Sequence, residues 1–191
     1  MSAGDASLFP LFLKLGRRAV LVVGAGAMAE RKVRALVASG AQVRLVAPEA
    51  TAELRRMADE RILEWAPRPF EEGDLEGMWL VVAATGDVET QRRIAAGAEA
   101  RRIFLLAVDD PPNASAYSGA VVRRHPFLVA ISSSGATPAL TRLVREIIEQ
   151  VLPGDAWIDH AKALREKWLA DGTPVGERFG SLVRDLKERA R

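Results

Sequence analysis

Apolar residues fall into two periods over the first hundred or so positions. Residues 19–23 (Ala-Val-Leu-Val-Val) and 79–84 (Trp-Leu-Val-Val-Ala-Ala) are apolar throughout, 42–47 (Gln-Val-Arg-Leu-Val-Ala) nearly so, and 103–108 repeats the theme. Short unbroken apolar runs are what strands covered on both faces require. Between them, 27–38 and 88–101 place apolar residues three and four apart, the spacing of a helix with one buried stripe. Gly40 stands where a helix stop is expected and Pro48 closes the second strand. The same reading predicts a helix over 49–59, a short third strand over 61–65 (Arg-Ile-Leu-Glu-Trp), and a break at Pro67 and Pro69. Asp87 is the expected N-cap of the 88–101 helix. Strand and helix therefore alternate five strands long, which predicts a parallel sheet with helices on both faces.

The alternation stops at Asp109-Asp110-Pro111-Pro112-Asn113. Residues 119–123 and 127–132 read as two strands joined by a turn through Arg124, His125 and Pro126. A long helix is predicted from Pro138 to about Val151, with Thr137 as N-cap and proline in the favoured first position. Pro153-Gly154 ends it, and 155–191 holds two more amphipathic stretches broken at Asp171-Gly172-Thr173-Pro174. The expected fold is α/β: a Rossmann-type parallel sheet, then a small β-hairpin region, then a helical region. The expected divisions are 1–112, 113–152 and 153–191, and added elements like the second and third commonly build a dimer interface, a substrate site or both.

Composition narrows the class. The chain has 191 residues, 49% hydrophobic and 27% charged, enough for a sizeable core. It contains no cysteine, which removes disulfides and thiolate metal sites and fits a reducing cytoplasm. The start, Met-Ser-Ala-Gly-Asp, has neither the basic nor the apolar region of a signal peptide, and no run approaches the ~20 apolar residues that span a bilayer. A net charge of +2 points to no nucleic-acid partner. Residues 113–145, however, carry Arg123, Arg124, Arg142 and Arg145 and no Asp or Glu. Such a stretch suits an anionic ligand. It is equally a solvated face whose acids lie elsewhere in space, and at this point the two readings stand level.

The candidate chemistry begins at Val20-Leu-Val-Val-Gly24-Ala-Gly26-Ala-Met-Ala29. Gly24 permits a tight turn, Gly26 lets a phosphate approach the backbone, and Ala29 lets the helix pack closely on the strand. The free N–H groups at the helix start face the anion, so a dinucleotide pyrophosphate is the expected ligand. Ligands of an open parallel sheet collect beyond the carboxyl ends of its strands. That places Gly24–Met28, Pro48-Glu49, Thr85-Gly86-Asp87 and Asp109-Asp110 together. Glu49 is the nearest acid to the end of the second strand, as a ribose ligand or as a dipole-favoured acid at the next helix start. No arginine occupies 47–50 to meet a 2′-phosphate, which favours NAD over NADP. Asp109 and Asp110 are candidates for proton abstraction or metal contact, or simply for a turn. Ser132–Pro138 is a small-residue helix entry that suits a carboxylate or ordinary capping. His125 and His160 belong to no zinc or triad spacing.

These pieces resemble the precorrin-2 dehydrogenase family, which forms the N-terminal part of siroheme synthases. The resemblance rests on Phe9-Pro10-Leu11-Phe12, Val22–Lys32 (Val-Val-Gly-Ala-Gly-Ala-Met-Ala-Glu-Arg-Lys), Val46-Ala47-Pro48, Ala83-Ala84-Thr85, Val108-Asp109-Asp110-Pro111 and Ile131–Leu140. They occur in family order over roughly 8–152. It implies NAD-dependent oxidation of precorrin-2 to sirohydrochlorin, in some members with insertion of Fe²⁺, by a homodimer with intertwined C-terminal parts. It further implies that Asp109 is catalytic and that Gly24, Gly26, Ala27, Met28, Pro48, Glu49 and Thr85 contact the cofactor. Ser133 falls on the family's serine-loop position, and Arg124 and Arg142 are the expected grips for the carboxylates of an eight-fold acidic tetrapyrrole. No resident metal ligand set is expected. Ala116–Ala120 departs from the family's usual bulky apolar residue and proline, and the methyltransferase part of some siroheme synthases has no counterpart here, so precorrin-2 is expected to come from another protein. The alternative function is an NAD(H)-sensing regulatory module, which would bind the dinucleotide but no polycarboxylate macrocycle. A third is a different small-molecule dehydrogenase on the same fold.

Overall fold

A computed structural model describes residues 8–108, 110–134 and 136–189. It contains the strands β1 (Ala19–Val23), β2 (Gln42–Val46), β3 (Glu64–Ala66), β4 (Leu80–Ala83), β5 (Phe104–Ala107), β6 (Ala120–Arg124) and β7 (Phe127–Ile131). The helices are α1 (Ala27–Ala38), α2 (Ala52–Asp59), α3 (Val88–Ala100), α4 (Pro138–Val151), α5 (Asp155–Ala170) and α6 (Val175–Arg189). β1 to β5 form one parallel sheet in the order β3-β2-β1-β4-β5, so the chain reverses its winding between β1 and β4. β6 and β7 form a separate antiparallel pair with Val122 opposite Val129. The predicted α/β architecture is thus the observed one.

Side-chain alternation along β1 divides the core. Val20 and Val22 point to the face covered by α1 and α2, among Ala29, Val33, Leu45, Leu54 and Met57. Leu21 and Val23 point to the opposite face, where Ile94 and Ala98 of α3 meet Leu75, Val81 and Leu105. Val20, Leu21, Val22, Val81 and Val82 are all fully buried, which is why these strands read as solid apolar runs. Ala29 is fully buried, consistent with its expected role as the small residue on which α1 packs. Asp74 is the single buried charged residue among the described residues, 3% exposed; Arg68 grips both its oxygens at 2.8 and 2.6 Å, and the Glu71 amide donates to it at 3.0 Å. Those bonds, the guanidinium's first, hold the Asp74 carboxyl below the usual carboxylate range against the opposing effect of burial.

Two elements start three residues later than their patterns predict. α2 begins at Ala52 rather than 49, because the Thr51 hydroxyl caps it by accepting from the Leu54 amide at 3.3 Å. β3 begins at Glu64 rather than 61, because residues 60–62 complete the end of α2. There Arg61 takes φ +58° and the Ile62 amide donates to the Met57 carbonyl at 2.9 Å. Asp87 caps α3 as expected, accepting from the Thr90 amide at 2.9 Å.

The chain divides into two compact units. One comprises residues 1–118 with 134–136, and the other comprises 119–133 with 137–191. Within the second, Arg124 at the end of β6 donates to the Leu152 carbonyl at 2.8 Å, tying the hairpin to the end of α4. His160 of α5 meets Asp185 of α6. α4 itself buries none of its residues, and Leu140, Leu143, Ile147 and Val151, spaced three and four apart, are each half exposed or more.

Candidate functional site

The carboxyl ends of β1, β2 and β4 converge where the winding reverses. β1 ends at Val23, and Gly24 follows with φ +95°, donating its N–H to the Val46 carbonyl of β2 at 2.9 Å. A Cβ on Gly24 would lie 2.4 Å from the Ala84 carbonyl oxygen beyond β4, so this position admits only glycine. Gly26 is the N-cap of α1, in extended conformation (φ −80°, ψ −175°) and with open space where a Cβ would be. No side chain caps α1. The N–H groups of Ala27 and Met28 are thus free of a capping side chain and stand at the positive end of the helix dipole. A glycine-only turn, an uncapped helix start and open space above Gly26 together fit a pyrophosphate.

The loop after β2 flanks this turn. The Ala47 amide donates to the Ala66 carbonyl at 3.3 Å, and the indole N–H of Trp65 donates to the Ala47 carbonyl at 3.0 Å, fixing the β2 end. Pro48 and Glu49 are exposed. Glu49 precedes the Thr51 cap rather than opening α2, so its role as an acid in the helix's first turn passes to Glu53. Its carboxylate has no hydrogen bond or ion pair within the described residues and is open to a ribose hydroxyl. On the other side, Thr85 follows β4; its hydroxyl accepts from the Asp87 amide at 3.2 Å, and its carbonyl accepts from the Gln91 amide group at 2.6 Å. Met28, 39% exposed, touches the Arg31 guanidinium through its sulfur. Gly24, Gly26, Ala27, Met28, Pro48, Glu49 and Thr85 therefore line one edge of one sheet.

β5 ends at the same edge, since the Val108 amide still donates to the Ala83 carbonyl at 2.9 Å. Asp109, the expected catalytic acid, lies outside the described residues. Asp110 accepts from the Asn113 side chain at 2.7 Å, and its carbonyl accepts from the Asn113 amide at 3.3 Å. Those are turn bonds, closing the one-turn 3-10 helix Pro111–Asn113. The chain then runs back beside β5, where the Ser115 hydroxyl accepts from the Leu105 amide at 2.8 Å. Lys32 of α1 reaches this returning stretch and donates to the Ser118 hydroxyl. Burial, reinforced by neighbouring Arg31, pulls the Lys32 ammonium below its ordinary pKa.

In the second unit, Ser133 accepts from the Thr137 amide at 3.2 Å and from the Thr141 hydroxyl at 2.8 Å. The segment without acids in sequence is not without them in space. Arg142 pairs with Glu146 at 3.0 Å, and Arg145 with Glu149 at 2.6 Å and with Glu146 at 3.3 Å. Arg142 nonetheless keeps four-fifths of its side chain exposed. Arg123 is exposed, with no ion pair among the described residues. Those residues also hold no cluster of three or more His, Asp or Glu side chains spaced for a metal ion, and no helix among them is long and apolar enough to cross a membrane. Pattern reading missed Trp65 as the brace of the β2 end and Thr51 as a cap. A threonine three residues before Leu54 was the available signal for the second.

Comparison with known proteins agrees with this geometry. Residues 11–120 match the family model described as "Putative NAD(P)-binding". Siroheme synthase 3 of Aeromonas hydrophila is 42% identical over 171 residues, covering 88% of this chain and 36% of that protein. Siroheme synthase of Chromobacterium violaceum is 43% identical over 145 residues, covering 76% of this chain and 31% of its own length. The chain therefore spans about a third of the curated relatives it matches. Among solved structures, SirC, a precorrin-2 dehydrogenase, superposes with a TM-score of 0.71 over 95% of this chain and all of its own, at 20% identity, which establishes a shared fold. A glycine turn shaped for a pyrophosphate thus comes with kinship to match: the chain belongs to the family described as putative NAD(P)-binding.

Proposed function

We propose that this chain oxidises precorrin-2 to sirohydrochlorin with NAD⁺ in siroheme synthesis. The observation that carries the reading is the sheet edge itself. Its glycine turn, uncapped helix start and unengaged Glu49 suit a dinucleotide, in a chain whose relatives over most of its length are siroheme synthases. In this reading residues 1–112 hold the dinucleotide, 113–152 supply substrate and dimer contacts, and 153–191 complete the helical region. Glu49 accepts from a ribose hydroxyl, and the absence of arginine at 47–50 favours NAD over NADP.

The oxidation removes two electrons and two hydrogens from the tetrapyrrole, one as hydride and one as proton. NAD⁺, when bound, supplies the hydride acceptor. Asp109, directly beyond β5, takes the proton and passes it to solvent, so that precorrin-2 and NAD⁺ give sirohydrochlorin, NADH and H⁺. Arg124 and Arg142 grip substrate carboxylates, Arg142 by exchanging Glu146 for one of them. Ser133, at the α4 entry, orients the same ligand. Where the chain also metallates its product, Fe²⁺ is a substrate that displaces two pyrrole protons, and Asp109 receives them. The chain acts as a homodimer in the cytoplasm. The apolar stripe of Leu140, Leu143, Ile147 and Val151 on a helix with no buried residue supports pairing.

The test is anaerobic incubation of the purified chain with precorrin-2 and NAD⁺, followed by absorbance. One NADH per sirohydrochlorin is expected. NAD⁺ binding without turnover of precorrin-2 would overturn the proposal and favour a dinucleotide sensor. Sirohydrochlorin with Fe²⁺ and no NAD⁺ tests the metal step separately.

A further inference from the structure

Glu30 belongs to the run that carries the glycine turn, yet the dinucleotide chemistry gives it no task. It sits on the first turn of α1, with 18% of its side chain exposed. One carboxylate oxygen accepts from the Thr51 hydroxyl at 2.8 Å, a partly buried bond across twenty-one residues of sequence. The other accepts from Arg34 at 2.6 Å, and Arg34 reaches Glu53 of α2 at 3.8 Å. The Thr51 amide donates to the Ala25 carbonyl, inside the glycine turn, at 3.2 Å. The Thr51 hydroxyl meanwhile accepts from the Leu54 amide to cap α2. One residue of the loop after β2 therefore holds the glycine turn by its backbone, α1 by its hydroxyl proton and α2 by its hydroxyl lone pair.

We infer that Glu30 and Thr51 form a clamp that fixes the ribose-binding loop against the pyrophosphate turn, presetting the adenosine side of the site before the dinucleotide arrives. Glu30 is a positioning residue and touches no ligand. Pro48 and Glu49 lie within three residues of Thr51, so where Thr51 is held decides where the Glu49 carboxylate stands. A hydrogen bond to a carboxylate is stronger than a neutral one, and this one is partly shielded from water. Losing it leaves the loop to be ordered by the ligand, and that ordering is drawn from binding. A structural role alone would lower stability without selecting one half of the ligand. The clamp lowers affinity for every ligand with an adenosine ribose by a common factor when it is broken. The inference rests on the dinucleotide reading of this edge.

The experiment measures Kd for NADH and for ADP-ribose by calorimetry in wild type, Glu30→Ala, Glu30→Gln, Thr51→Ser, Thr51→Asp and the double variant Glu30→Ala/Thr51→Asp. Thr51→Asp keeps an oxygen that caps α2 but offers Glu30 a like charge in place of a donor, so it separates the clamp from the cap. Glu30→Ala and Thr51→Asp are expected to raise both Kd values about tenfold, a loss of about 1.4 kcal/mol. Thr51→Ser is expected to bind as wild type and Glu30→Gln to fall between. In the double variant Kd rises no further than in the worse single, because both break one bond. Unchanged Kd in Glu30→Ala and Thr51→Asp, or full additivity in the double, would overturn the clamp while leaving the dinucleotide site standing. Wild type that binds neither ligand would overturn both.

Discussion

Gly24 and Gly26 look alike in sequence but have opposite work, and replacing each by alanine separates them. At Gly24 the backbone holds φ +95°, which costs a side-chain-bearing residue of order 1–3 kcal/mol. The added Cβ would also lie 2.4 Å from the Ala84 carbonyl oxygen and 2.6 Å from its carbon, both backbone atoms that cannot rotate away. Relieving that overlap means prising β1 from β4, a further ~1–3 kcal/mol by analogy with overpacked cores. Gly24→Ala is therefore expected to lose about 2–6 kcal/mol, a fall in Tm of roughly 10 °C for a chain of this size. At Gly26 the backbone is extended and no atom lies within 4 Å of the position an alanine methyl would take. Gly26→Ala is expected to keep its stability within about 1 kcal/mol, the poorer cap offset by a less flexible unfolded chain. Its methyl would occupy the space left for the pyrophosphate, so Kd for NADH should rise at least tenfold, about 1.4 kcal/mol. Thermal unfolding by circular dichroism and NADH fluorescence titration read both quantities. Gly26→Ala binding NADH as wild type, or Gly24→Ala melting as wild type, would refute the geometry assigned to the turn.

Other outcomes follow from the same structure. Asp109→Ala is expected to abolish NADH formation from precorrin-2 while leaving NADH affinity and oligomeric state unchanged, read by absorbance, titration and light scattering; retained turnover would remove Asp109 from the chemistry. Leu143→Arg with Ile147→Glu on the α4 stripe is expected to convert a dimer to a monomer on size-exclusion light scattering, and an unchanged mass would place the interface elsewhere. The folded pKa of Asp74 lies below its unfolded value of about 3.9, so its contribution is complete above that value and is lost as pH falls through the folded pKa. Asp74→Asn should accordingly flatten the acid limb of the stability curve and cost about 2 kcal/mol at neutral pH, read by urea unfolding at a series of pH values.

The parallel sheet was legible because its central strands are buried on both faces, and continuous apolar runs such as Leu80–Ala83 have no other stable place. The glycine turn was legible for a related reason: an apolar strand, two glycines and an immediate helix leave few conformations open. Local endings were harder. Ile62 and Leu63 look like the start of a strand, but Ile62 closes the end of α2, with Arg61 in the left-handed region, before β3 begins. The absence of acids from 113–145 holds in sequence only, since a helix pairs residue i with i+4 and the acids beside Arg142 and Arg145 stand at 146 and 149. The bond between Glu30 and Thr51 was invisible in sequence because it joins two elements that only the sheet brings together. Trp65 reads as the last residue of a short strand, and nothing in its spacing tells that its N–H braces the Ala47 carbonyl.

In the proposed function a dinucleotide lies across the carboxyl edge of the sheet with its nicotinamide end directed to the close of β5. A crystal of the chain soaked with NAD⁺ tests it most directly. The expected density has the pyrophosphate against the amides of Ala27 and Met28, the adenosine ribose beside Glu49, and the nicotinamide within reach of Asp109. Coenzyme density at any other edge of the sheet, or on the hairpin and helices beyond residue 119, would contradict it.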